Sequence, residues 1–192
     1  MKSLKIAVLA SAIALLSAPA IGQALSDGDQ FIEAVQKRDG DKALDLIQSH
    51  PTVIDARNAK GDTALLIALR DADREWTGFL LNKGADPNTQ GAGGETPLIA
   101  ATRAGFDEGV QWLLGLGAKV DGTNRSGETP LIIAVQQRNA TLVRLLLAAG
   151  ANPDRSDALA GYSARDYAKR DPRARDIQKL IDEKKPVSAA AN

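Results

Sequence analysis

The apolar residues of this chain fall into short stretches with the spacing of amphipathic helices, and these stretches come in pairs. In segment 94–121, Leu98, Ile99 and Ala101 share one face of a first predicted helix. A second stretch follows, and its apolar positions are Val110, Leu113 and Leu114. The residues beyond it are rich in Asp, Asn, Pro and Gly, which favours a turn. The pattern therefore predicts a helix hairpin followed by a turn.

The same pattern returns along the chain at a nearly constant interval. "GETPLIAATRAGFDEGVQWLLGLGAKVD" at 94–121 and "GETPLIIAVQQRNATLVRLLLAAGANPD" at 127–154 share 13 of 28 residues. Equivalent segments begin at Gly61 and Gly161, and a weaker copy begins at Asp29. We predict five units, with atypical ones at both ends, over residues 25–57, 58–90, 91–123, 124–157 and 158–185. Because no unit can bury its own apolar face, we expect the units to stack.

Each predicted helix pair has recognisable start and stop signals. A threonine hydroxyl can cap the first helix, and the proline after it takes the first helical position, where its missing N–H costs nothing. These pairs are Thr96-Pro97 and Thr129-Pro130. The second helix ends at Gly117 or Gly150, because glycine readily adopts the left-handed conformation found at helix ends.

These units resemble ankyrin repeats, since capping threonine, Pro, Leu, Ala, paired Leu and Gly-Ala recur in order at that period. The resemblance extends from about Asp29 to Lys185. It implies an all-α fold, an ankyrin-repeat solenoid of about five helix-hairpin units with projecting β-turn loops. It also implies binding of other proteins as the usual role.

The chain departs from the family pattern at several positions. The histidine that commonly follows Thr-Pro-Leu is replaced by Leu66, Ile99 and Ile132. Ala64 stands in place of a proline, and the last unit reads Ser163-Ala164-Arg165. We expect the stack to tolerate these changes, with less stable units at its ends.

The first 24 residues have the pattern of a secretory signal peptide. Two lysines precede a short apolar run and then small residues, and we expect cleavage after Ala24, with Ala20 as the alternative. An uncleaved membrane anchor is the other interpretation, but the apolar run is shorter than the ~20 residues that a span needs. The expected location is the periplasm, or outside the cell. Residues 186–192 are predicted to be a disordered tail.

Composition excludes several classes of function. Removing residues 1–24 takes away only Lys2 and Lys5 among the charged residues, so the remaining chain is close to neutral. A nucleic-acid-binding protein would carry a basic excess, so no nucleic acid partner is expected. The chain has no cysteine and therefore neither a disulfide framework nor thiolate chemistry.

The sequence predicts neither an enzyme nor a cofactor. The single histidine, His50, follows a predicted helix and is interpreted as a turn residue rather than a general base. One histidine and no cysteine cannot form a zinc site, and the scattered acids show no calcium-ligand cluster. "GAGG" at Gly91–Gly94 lacks the Lys-Ser/Thr of a phosphate-binding loop and is interpreted as a flexible hairpin tip.

Three aromatic residues allow a packing role or a binding role. Trp76 and Trp112 lie at apolar positions of the second helices, so we predict that both pack in the core. Tyr162 follows Gly161 in a turn, and packing and interaction remain equally open for it.

Charged residues form two predicted rows along the inner helices. A mostly basic ladder on the concave side would consist of Lys37, Arg70, Arg103, Gln136 and Lys169. An acidic row near the helix starts would consist of Asp62, Glu95 and Glu128. One explanation is that acids at helix starts and bases at helix ends complement the helix dipole. The resemblance adds a binding role for these exposed charges and for the adjoining turn residues Lys60, Arg125 and Tyr162.

The expected function is non-catalytic binding of another exported protein, as a scaffold, inhibitor or accessory factor. The alternative is a stress-protective accessory protein that supports the folding or activity of an exported enzyme; a hydrolase is the third and weakest possibility. We expect a monomer that does not contact the membrane once the signal peptide is removed. These expectations rest on the family resemblance, since function follows the site rather than the fold.

Overall fold

The computed structural model describes residues 25–183, and this part of the chain folds into ten α-helices. The predicted signal peptide (1–24) and tail (186–192) lie outside the described residues. The helices are α1 (Asp27–Gln36), α2 (Gly40–Ser49), α3 (Ala64–Arg70), α4 (Arg74–Asn82), α5 (Pro97–Arg103), α6 (Asp107–Gly115), α7 (Pro130–Gln136), α8 (Ala140–Ala148), α9 (Ala164–Arg170) and α10 (Arg175–Glu183). Short 3₁₀ helices span Pro51–Asp55 and Ala92–Gly94.

The helices pair in sequence and stack in two layers. The odd-numbered helices, here called the inner helices, contact one another in chain order from α1 to α9. The outer helices α4, α6, α8 and α10 do the same. Within residues 25–183 there is no β-strand, only the isolated antiparallel bridges Arg57–Thr63 and Ser156–Ser163 at hairpin loops. The prediction of an all-α solenoid with five helix pairs is confirmed.

The predicted capping of the inner helices is confirmed. The hydroxyl of Thr96 accepts a hydrogen bond from the N–H of Ile99 at 3.1 Å, and Thr129 accepts one from Ile132 at 3.2 Å. The last inner helix is closed by a capping box, in which Ser163 and Asp166 each accept a bond from the other's backbone N–H. Serine thus replaces threonine at this start without loss of the cap.

The helix ends use the left-handed backbone conformation more widely than the sequence predicted. Gly117 and Gly150 have φ of 85° and 100° after their outer helices, as expected. The inner helices α3 and α5 are followed by Ala72 and Gly105 at φ of 50° and 67°. Since a Cβ strains this conformation, Ala72 holds a shape that suits glycine better.

The core lies between the layers and is built from aliphatic side chains of successive units. The apolar residues that replace the family histidine are Leu66, Ile99 and Ile132, and all three are fully buried. Hydrophobic packing therefore occupies the positions where the family commonly has a polar side chain. No helix within residues 25–183 has the length and apolar character needed to cross a membrane.

The two tryptophans differ in their environment. Trp76 is buried, so its predicted place in the core is confirmed. Trp112 is only half-buried, so the prediction of core packing is wrong for most of its ring surface. Trp112 lies on α6 against Gly78 of α4, and a glycine there leaves the ring uncovered. It packs edge-to-face on Phe106 instead, with their centroids 6.0 Å apart.

The turns that follow the outer helices are joined by hydrogen bonds from one unit to the next. The N–H of Asp86 donates to Asp55 Oδ1 at 3.0 Å, and the N–H of Asn152 donates to Asp121 Oδ1 at 3.0 Å. Asn88 Oδ1 accepts from the N–H of Lys119 at 2.8 Å. These polar side chains therefore hold neighbouring units in register.

Candidate protein-binding surfaces

The predicted acidic row and basic ladder meet on the inner helices as ion pairs. Arg70, the last residue of α3, donates from Nη1 to Asp62 Oδ2 at 2.6 Å and from Nη2 to Oδ1 at 2.9 Å. The side chain of Asp62 is 9% exposed and that of Arg70 is 36% exposed. The Arg70 guanidinium lowers the pKa of Asp62 below its ordinary value, although burial alone would raise it.

The pairing continues from one repeat to the next. Arg70 Nε also donates to Glu95 Oε2 at 2.8 Å, across the boundary between the second and third units. Arg103 lies 3.9 Å from Glu95 Oε1 and 3.4 Å from Glu128 Oε2. We call the alternating series Asp62–Arg70–Glu95–Arg103–Glu128 the ion-pair chain. Its five side chains neutralise one another, so the ladder does not present a run of unpaired cations.

The structure corrects the register of the ladder at both ends. Arg70, Arg103 and Gln136 are each the last residue of an inner helix, and the equivalent residues are Gln36 in α1 and Arg170 in α9. The predicted members Lys37 and Lys169 are therefore each displaced by one position. The interval from Thr129 to Ser163, the caps of α7 and α9, is 34 residues rather than 33, which shifts the last unit.

The displaced lysines and Gln136 have separate surroundings. Lys37 caps the end of α1 and pairs with Glu33 at 2.5 Å on the same helix. Lys169 is exposed on α9. The Gln136 side chain lies within hydrogen-bonding reach of the Tyr167 hydroxyl. These three residues therefore belong to no common row, and their predicted role in binding stays a prediction.

Tyr162 lies in a small aromatic cluster at the last hairpin. It is half-buried, its ring meets Tyr167 edge-on with centroids 5.6 Å apart, and Arg170 lies over it at 4.1 Å. The Tyr167 hydroxyl donates to Asp157 Oδ2 at 2.6 Å. Burial raises the pKa of Asp157, but this bond and backbone N–H donors outweigh it and lower that pKa overall. Packing thus accounts for much of the Tyr162 surface.

The hairpin loops beside the inner-helix starts form a second surface, at which Lys60 and Arg125 lie. A groove of about 500 Å³ opens between the loops that precede α3, α5 and α7. Its lining consists of Arg57, Lys60, Gly61, Gln90, Gly91, Ala92, Gly93, Gly94 and Arg125. We call this the hairpin groove. It contains three cations and no acidic residue.

The glycine-rich loop that was predicted to be a hairpin tip forms the middle of this groove. A Cβ on Gly91 would come within 2.4 Å of Leu66 Cδ1, so the loop can pack here only as glycine. The N–H of Arg125 donates to the Gly93 carbonyl at 2.8 Å, which ties this loop to the next one. The loop thus brings the neighbouring hairpins together and places no long side chain in the groove.

The cations of the hairpin groove lack acidic partners among residues 25–183. Lys60 and Arg125 are exposed, and their side chains make no hydrogen bond or ion pair there. Arg57 donates from Nε and Nη2 to the Gln90 carbonyl at 3.1 and 2.8 Å, so its partner is neutral. The sequence analysis did not include Arg57, although its position next to a turn, 33 residues before Gln90, was a usable signal.

The residues considered for catalysis are placed apart from both surfaces. His50 follows α2, is exposed and lies 3.4 Å from Asp27, so the prediction of a residue at a helix end is confirmed. Within residues 25–183, no group of three histidine, cysteine or acidic side chains is arranged to hold a metal ion.

Comparison with known proteins identifies the family. The family model of ankyrin repeats, which contains three copies, matches residues 31–124 and again residues 78–157. The chain belongs to the ankyrin repeat family. No curated protein matches the chain in sequence. Ankyrin repeats mediate protein–protein interaction and are as a rule non-catalytic, so the surfaces described above are those of an interaction module.

Proposed function

We propose that this protein is an exported, non-catalytic binding protein that holds another exported protein through its hairpin loops. The observation that carries the proposal is the contrast between its two charged surfaces. The cations of the ion-pair chain are matched by acids from their own and neighbouring repeats. The cations of the hairpin groove have no acid beside them and can interact with a partner.

Three of the predicted binding residues take part in this proposal in different ways. Lys60 and Arg125 supply charge that is accessible to a partner. Tyr162 lies beside the next hairpin and offers its half-buried ring as an edge of the same surface. Asp62 and Arg70 act indirectly, because they hold the loop: Asp62 Oδ1 also accepts from the N–H of Ala92 in the groove.

Export is the second part of the proposal and is supported by the sequence of residues 1–24. Cell fractionation and the N-terminal residue of the accumulated protein test it. We expect a periplasmic or secreted protein that begins after Ala24, or after Ala20. A cytoplasmic protein that begins at Met1 would contradict export and would change the class of partner. We also propose a monomer that binds no nucleic acid, which light scattering and a nucleic-acid shift assay would check.

Crosslinking in intact cells tests the binding function. We expect one or a few exported proteins to be captured in a stoichiometric complex, and we expect capture to fall when Lys60 and Arg125 are changed to glutamine. The matched control is Arg144→Gln, which removes an exposed cation from outer helix α8. The proposal fails if no exported protein is captured above the level seen with an unrelated periplasmic protein.

A further inference from the structure

The hairpin groove has the charge of a binding site for carboxylates. Arg57, Lys60 and Arg125 come from two hairpins that are separate in sequence, and the stacking of the repeats brings them to one cavity. The nearest acid, Asp62, is buried below the loop and is already bonded to Arg70 and to the N–H of Ala92. The positive charge of the groove is therefore not neutralised by residues 25–183.

The arrangement of donors fits carboxylates better than a purely apolar partner. Arg57 uses Nε and Nη2 on the Gln90 carbonyl, which fixes its guanidinium and leaves Nη1 without a partner in the described residues. Arg125 keeps its whole guanidinium for a ligand, and guanidinium groups bind carboxylates with paired hydrogen bonds. Lys60 adds an ammonium group that can turn toward either neighbour.

The shape of the groove fits a polypeptide segment. Its floor is the Gly91–Gly94 loop, which contributes backbone and one methyl group rather than long side chains. A volume of about 500 Å³ is enough for a few side chains. The nearly neutral charge of the whole chain disfavours a nucleic acid, since binding to phosphate backbones needs many more cations than three.

We propose that the hairpin groove binds an acidic segment of the partner protein, with Asp or Glu carboxylates of that segment held by Arg57, Lys60 and Arg125. This inference rests on the proposed function and adds the chemical class of the partner. The paired charges of the ion-pair chain serve the stack, and the unpaired charges of the hairpin groove serve recognition.

The test uses a defined probe rather than the unidentified partner. The protein, in the form that the producing cell accumulates, is titrated with a fluorescent decaglutamate peptide and with the decaglutamine peptide of equal length. We expect binding of the glutamate peptide only, weakened by added salt because exposed charges are screened. Lys60→Gln with Arg125→Gln should reduce the affinity about tenfold, as expected for the loss of two to three ion pairs.

Two controls make the result specific to the groove. Arg144→Gln should leave the affinity within about twofold of the unchanged protein, because that cation lies on an outer helix. Both exchanged groove residues are exposed, so circular dichroism should show an unchanged fold. A tenfold loss with Arg144→Gln, or no loss with the groove variant, overturns the inference.

Inorganic phosphate separates a protein-docking site from a general anion site. We expect phosphate to compete only at concentrations at which added chloride of equal ionic strength competes as well. Phosphate that displaces the peptide far below that concentration would overturn the assignment to carboxylates. If cells still yield a crosslinked partner whose capture ignores the groove variant, the binding function stands and this inference alone fails.

Discussion

Arg70 at the end of α3 binds both carboxylate oxygens of Asp62 at the start of the same helix and reaches Glu95 of the next repeat. One side chain therefore joins the two ends of a helix and the boundary between two units. Asp62 is nearly buried, so its charge depends on this partner.

Replacing Arg70 by glutamine should destabilise the fold by about 1–3 kcal/mol, because it leaves a buried carboxylate without its main partner. This differs from what exposed ladder charges would have implied. Arg103→Gln should cost less, since its guanidinium is 51% exposed and its pairs are 3.4 and 3.9 Å long. Urea unfolding of both variants measures the difference. Equal losses would show that the geometry at Asp62 contributes nothing special.

The pairing of Asp62 should make stability fall in acid. The pKa of Asp62 is lower in the folded chain than the value of about 3.9 in an unfolded one. The stabilisation is therefore fully present above the unfolded pKa and is lost as the pH falls through about 4 toward the folded pKa. Unfolding free energies of the unchanged protein and of Asp62→Asn should differ at neutral pH and converge in acid. A difference that persists unchanged at about pH 2 would refute the assignment.

Ala72 and Gly105 occupy equivalent positions after α3 and α5 and form a matched pair. Gly105→Ala should destabilise by about 1 kcal/mol, since no atom crowds the added Cβ and only the left-handed backbone is strained. Ala72→Gly should be neutral or stabilise by up to about 1 kcal/mol, because it removes that strain. Thermal melts report both. Destabilisation by Ala72→Gly would mean that packing of its methyl group outweighs the strain.

The interior units should be more stable than the terminal units. A terminal unit has only one neighbour, so fewer contacts resist its local opening. Amide hydrogen exchange should show stronger protection in segment 131–147 than in segment 31–47. Equal protection in the two segments would indicate a stack that opens only as a whole.

The fold could be predicted from the sequence because each repeat carries its own signals. Thr96, Pro97 and Gly117 mark the start and end of one unit, and their recurrence 33 residues later reveals the stack. The register of the outermost units could not be predicted as well. One additional residue before Ser163 shifts the last helix, and a weak copy gives too few identities to locate it.

The binding surface could be predicted only in part. Lys60 and Arg125 were found because they lie in the turns that the family uses. The pairing of Arg70 with Asp62 and Glu95 was missed because a linear sequence shows two separate rows of charge. Only the stacked backbone brings a base of one unit beside an acid of the next. Trp112 was misassigned for a similar reason, since its exposure depends on Gly78 of another repeat.

The central claim is that recognition uses the unpaired cations of the hairpin groove rather than the cations of the inner helices. Affinity for the decaglutamate peptide tests it with two double variants that each remove two positive charges. Lys60→Gln with Arg125→Gln should weaken binding about tenfold, whereas Lys37→Gln with Arg103→Gln should change it less than about twofold. A tenfold loss from the inner-helix variant, with the groove variant unchanged, would contradict the account.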